Sequence, residues 1–162
     1  MVFNVSIIVL GLCLIAGAVL LRPAPPRGHD RDVAMVLLVF GGIGAIGVGL
    51  FPEDVNLTLH SVSAALAFAG SNVALILLGS AWMRTRSSRG YGVYSVASGA
   101  LGLIALGLFG AKFYGPLGVG GMERLIIAPV LLWAVVVSMW LISSRRDQLA
   151  PGSATWSGPA ME

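Results

Sequence analysis

Glu53, Asp54, His60, Lys112, Glu123 and Arg124 are the side chains of this sequence best suited by type to move a proton, hold a metal or form an ion pair. Asp54 or Glu123 beside His60 would orient the imidazole as a proton acceptor, the arrangement of a general base. Asp54, His60 and Glu123 together would present zinc with two carboxylates and one nitrogen, although their scattered positions match no metal-site spacing. A structural alternative pairs Asp54 or Glu53 with Arg124 and lets His60 hydrogen-bond Glu123, because ionisable groups near hydrocarbon are costly and usually pair. Ser61, Ser63 and Ser71 lie downstream of His60 and were they nucleophiles His60 would serve them, yet serine in an apolar helix is more often a small packing residue. The signatures of commoner chemistry are missing: no glycine-rich phosphate loop, no His-Glu-x-x-His, no nucleophile elbow and no arginine-rich voltage-sensing helix.

These residues stand at the ends of long apolar runs. Val2 to Leu21 contains only Asn4 and Ser6 as polar residues, and at ~1.5 Å per residue it crosses a hydrocarbon core of about 30 Å. It lacks the basic leader and cleavage site of a signal peptide, so it reads as a transmembrane span. A proline-broken loop from Arg22 to Asp32, which includes His29, leads to a second span at 33–51. In that span Gly41, Ala45 and Gly49 make a row of small residues along which a neighbouring helix can approach. Pro52 lacks an amide donor and disfavours helix at Phe51, so the span ends there. Asn56 or Thr58 then caps a third span over about 58–83 and places His60 in its first turn. On this third span His60, Ser63, Ala67 and Ser71 form a weakly polar strip, and Asn72 lies about 18 Å along the axis from His60. An amide at that depth calls for an interhelical hydrogen bond.

After Arg84 to Gly90 a fourth span covers about 91–111, opened by Tyr91 and Tyr94 at the level of the interface. Its end, Gly102 to Phe109, echoes Gly44 to Phe51, which suggests a repeat in which spans two and three match spans four and five. A glycine-rich loop from Lys112 to Gly121 precedes the fifth span, 123–142, in which Glu123 favours the helix N-terminus and Pro129 introduces a kink. The tail at 147–162 has too little apolar surface to fold by itself and is expected to be a disordered cytoplasmic segment.

Composition agrees. The chain is 57% hydrophobic and 10% charged, where soluble domains carry about a quarter charged residues. A net charge of +3 would suit nucleic acid, but the basic residues form short clusters between apolar runs instead of one face, so no nucleic-acid partner is expected. Cys13 is the single cysteine, which excludes an internal disulfide and reads as a small packing residue. Arg22, Arg27, Arg31, Arg84, Arg86, Arg89, Arg145 and Arg146 fall on one side of the alternating spans, against Lys112 and Arg124 on the other. The positive-inside rule therefore puts the N-terminus outside and the C-terminus inside the cytoplasmic membrane.

Gly-Leu-Phe-Pro-Glu-Asp at 49–54, His60 within 59–68, and Gly121-Met122-Glu123-Arg124 leading into Pro-Val-Leu-Leu-Trp at 129–133 together make the chain resemble the domain of unknown function 998 family of small bacterial and archaeal membrane proteins. The resemblance assigns whatever that family does to Asp54, His60, Glu123 and Arg124; no specific motif in the sequence indicates a cofactor. Family members commonly carry a further helix ahead of the one that starts near Phe3, which would leave a place for a helix from another chain. The expectation is an all-α integral membrane bundle of five transmembrane helices, one domain over 1–146, that binds lipid, another membrane protein or a second copy of itself. The alternative is a membrane-embedded hydrolase or metal-dependent lipid-modifying enzyme with an outward-facing Asp/His/Glu site.

Overall fold

A computed structural model describes residues 2–149, and among these residues the regular elements are all helical. They are α1 (Val2–Leu21), α2 (His29–Leu50), α3 (Leu57–Met83), α4 (Arg89–Gly110) and α5 (Gly118–Leu149), with single 3-10 turns at Arg86–Ser88 and Gly115–Leu117. Five helices are long and apolar enough to cross a membrane. Helices are the expected solution there, because hydrocarbon offers backbone amides and carbonyls no water. The chain is a multi-pass helical membrane bundle.

Two boundaries differ from expectation. Helix α2 starts at His29, not near 33, because Asp30 and Asp32 occupy its first turn and carboxylates are favourable beside the free amides of a helix N-terminus. Helix α5 starts at Gly118 and runs to Leu149. Each glycine in its first turn costs roughly 1 kcal/mol relative to alanine, so local propensity argues for a loop, yet the helix begins there. The helix continues through Pro129 and past 147, where the tail was expected to begin; residues 150–162 lie outside the described residues.

Helices adjacent in sequence are adjacent in space. Helix α2 lies between α1 and α3, α4 lies between α3 and α5, and α5 touches α3 only lightly. The glycines of α2 divide between its two neighbours. Gly42 and Gly49 face α1, whereas Gly41, Gly44 and Gly47 face α3. The row of Gly41, Ala45 and Gly49 therefore does not serve one partner as its spacing suggested. A Cβ on Gly44 would meet the Ala67 nitrogen at 2.5 Å and the Ser63 oxygen at 2.6 Å, and one on Gly11 would meet the Gly42 oxygen at 2.5 Å. Backbones this close can be built only from glycine. The strip of Ser63, Ala67 and Ser71 is the α3 side of the same seam. Gly102 of α4, the counterpart of Gly44 in the echoed sequence, and Gly99 just before that stretch also face α3, at Asn72 and Ile76. Both glycine sets thus clasp the central helix.

Side chains close the remaining contacts. Asn72 is fully buried; its Nδ2 donates to the Phe68 oxygen at 2.8 Å and, across to α5, to the Ile126 oxygen at 3.3 Å. This is the interhelical bond expected from its depth. Its Oδ1 accepts nothing from the described residues, and interhelical bonds in membranes average only about 0.6 kcal/mol. Asn72→Leu is accordingly expected to change stability by less than about 1 kcal/mol, measured by reversible unfolding in mixed micelles. Toward the arginine-bearing end, Trp82, Trp133, Trp140 and Tyr91 form an aromatic cluster, with Trp82 and Trp133 centroids 6.3 Å apart and Tyr91 stacked on Trp140 at 4.3 Å. Trp133 Nε1 donates to Ser95 Oγ at 2.7 Å, which in turn donates to the Tyr91 oxygen at 2.7 Å.

Candidate functional site

The link between α2 and α3 is built from its caps. Phe51 closes α2, its amide donating to the Gly47 oxygen at 2.8 Å; the amides of Val55 and Asn56 then both donate to the Pro52 oxygen. Asn56 caps α3, its Oδ1 accepting from the Leu59 amide at 3.0 Å. His60, one turn into α3, places Nδ1 3.0 Å from the Phe51 oxygen. A protonated Nδ1 donates to a carbonyl that the end of α2 leaves without an amide partner. His60 is therefore a clasp between two helix ends. His60→Ala should lower stability by about 1 kcal/mol, and Asn56→Ala by a similar ~1 kcal/mol; unfolding midpoints of the two variants against the native chain check both.

The other candidates do not gather around it. Glu53 and Asp54 are exposed in the link. Arg124 Nη1 donates to the Gly120 oxygen one turn back on its own helix, at 3.1 Å. Among the described residues the ion pairs are Arg31 with Asp32 and Arg84 with Asp30, so neither the Asp54 or Glu53 pair with Arg124 nor a His60 to Glu123 bond is formed. No group of three His, Cys, Asp or Glu among the described residues is placed to hold a metal ion. The reason is packing. At this end of the bundle Ala105, Met122 and Ile126 form a core with Phe68 and Leu125 packed against it, so apolar side chains fill the space between the helices.

An open apolar groove lies at the opposite end. Helices α1 and α5 do not pack on each other, and between them runs a groove of about 520 Å³, lined by Leu14, Gly17, Leu38, Val137 and Ser138 among others. Its lining is almost wholly apolar. Cys13 also lines it and is exposed, contrary to its expected role as a packing residue. A smaller recess of about 300 Å³, between α1 and α2, is lined by Ala18, Val19, Arg22, Asp32, Met35 and Val39. Ala18 borders both spaces. Arg84 pairs with Asp30 across the end of the bundle, an exposed pair of the kind that contributes at most about 1 kcal/mol. Arg22, Arg27, Arg86 and Arg89 make no ion pair among the described residues. The groove left little trace in the sequence, because α1 is apolar on every side; the small residues Cys13 and Gly17 on α1 were its one local sign.

A family model described as Protein of unknown function (DUF998) matches residues 1–140 of the chain. No curated protein and no solved structure matches it.

Proposed function

The chain belongs to the DUF998 family, and we propose that it is a non-catalytic membrane component that binds a membrane lipid or a partner's transmembrane segment along the groove between α1 and α5. The supporting observation is that groove: an apolar space of about 520 Å³, within the roughly 300–1,000 Å³ typical of ligand pockets. The enzyme reading draws no support from the link end, where His60 is engaged by a backbone carbonyl and Arg124 by its own helix. Eight arginines at one end against Lys112 and Arg124 at the other orient the bundle with the groove at the cytoplasmic side and the Pro52 link outside, in the cytoplasmic membrane of a bacterium. Extraction in a mild detergent followed by intact-mass measurement tests the proposal. Particles carrying lipid or a second chain are expected; a strictly bare monomer would contradict it.

A further inference from the structure

We infer that the occupant of the groove is an anionic phospholipid, with one acyl chain between α1 and α5 and its phosphate at Arg22. The inference rests on the proposed binding role of the groove and goes further by naming the ligand's chemistry. Shape argues first. The groove follows α1 from Leu10 to Leu21, a length of about 17 Å at ~1.5 Å per residue. The space, about 520 Å³ and almost wholly apolar, suits a flexible alkyl chain lying along α1. Its wall is mostly aliphatic and aromatic surface, in which Cys13, Trp133 and Ser138 carry the polar side-chain groups.

Charge argues second. Arg22 follows the last groove residue of α1, Leu21, and lines the adjoining recess one helical turn from Ala18, the residue common to both spaces. Asp32 also lines that recess and would repel a phosphate, but Arg31 holds it through Nε at 3.0 Å and Nη2 at 2.7 Å. Arg22 has no ion pair of its own among the described residues. A guanidinium at the end of an apolar slot, at headgroup depth, selects a lipid phosphate with net negative charge.

Two substitutions separate the parts of this proposal. Gly17 lines the groove and a Cβ there would meet nothing within 4 Å, so Gly17→Phe fills the slot without touching a helix seam; Ser138→Phe does the same from α5. The purified chain and its variants, placed in nanodiscs of mixed phosphatidylglycerol and phosphatidylcholine and released for native mass measurement, report both the number and the kind of retained lipids. The native chain should retain phosphatidylglycerol over phosphatidylcholine by about five-fold, the worth of one arginine near an anionic headgroup. Gly17→Phe and Ser138→Phe should lose the retained lipid while keeping the native helical circular dichroism. Arg22→Gln should keep a lipid but lose the preference, and Arg22→Lys should restore it. Undiminished lipid retention by both phenylalanine variants would overturn the groove as a lipid site altogether. Loss in those variants with an unchanged preference in Arg22→Gln would leave the groove as a binding site and overturn the anionic assignment. A dimer or foreign chain released from the groove in place of lipid would overturn the inference in favour of a protein partner.

Discussion

Gly44→Leu should prevent the bundle from assembling, at an expected cost of about 3 kcal/mol or more. The new Cβ alone would approach the Ala67 nitrogen to 2.5 Å and the Ser63 oxygen to 2.6 Å. Both are backbone atoms of α3, so no rotamer change relieves the overlap and the two helices must separate. Separation would also loosen the His60 clasp, since it spans the same pair of helices. Gly107→Leu is the matched control: a Cβ at Gly107 meets nothing within 4 Å, and leucine is the better helix former. Reversible unfolding in mixed micelles should show Gly107→Leu near native and Gly44→Leu without a cooperative transition. Equal behaviour would mean that α2 and α3 are not held at glycine distance.

Trp133→Ala should cost about 3–5 kcal/mol, the range for emptying a buried tryptophan site. Trp133 is 3% exposed, lies against Trp82 and ties α5 to α4 through Ser95. Dispersion between tightly packed side chains is the main force between helices in lipid, where the hydrophobic effect gives no preference for protein over acyl chain. Removing the largest side chain of the seam therefore removes much of what holds α5 in place. Trp133→Phe keeps most of the ring volume and loses the hydrogen bond, so a loss near 1 kcal/mol is expected. Near-ultraviolet circular dichroism, which reports the tryptophan cluster, and unfolding midpoints should rank native, Trp133→Phe and Trp133→Ala in that order. Because Trp133 also lines the α1–α5 groove, the alanine variant should hold lipid less well.

The existence of the five spans was legible because each is a long apolar run punctuated by proline, glycine or arginine; Asn56 proves to be the cap of the two candidates, Asn56 and Thr58, and Asn72 makes the interhelical bond its position calls for. Facing directions were not legible. In a soluble helix a polar stripe marks the side turned away from the core, but α1 and α2 are apolar around their whole circumference, so nothing local told which glycines of α2 meet α1 and which meet α3. The start of α5 at Gly118 was hidden by a glycine-rich stretch whose intrinsic preference is for a loop. The candidate site misled for a related reason. His60 was matched with side chains of suitable charge, Asp54 and Glu123, whereas its actual partner is the Phe51 carbonyl, a group that every residue carries and that residue type cannot signal. The groove is a property of two helices that fail to touch, visible only once all five are assembled.

The central claim is that an acyl chain lies between α1 and α5. Methyl groups of Leu14 and Leu141 line the groove and are half-buried, whereas Val5 and Leu12 face outward at 59% and 55%. Intermolecular nuclear Overhauser effects between the acyl protons of phosphatidylglycerol nanodiscs and these methyls separate a lodged chain from the surrounding bilayer. Cross-peaks at Leu14 and Leu141 as well as at Val5 and Leu12, with the first two abolished by Gly17→Phe, are the predicted result. Cross-peaks confined to Val5 and Leu12 would contradict it.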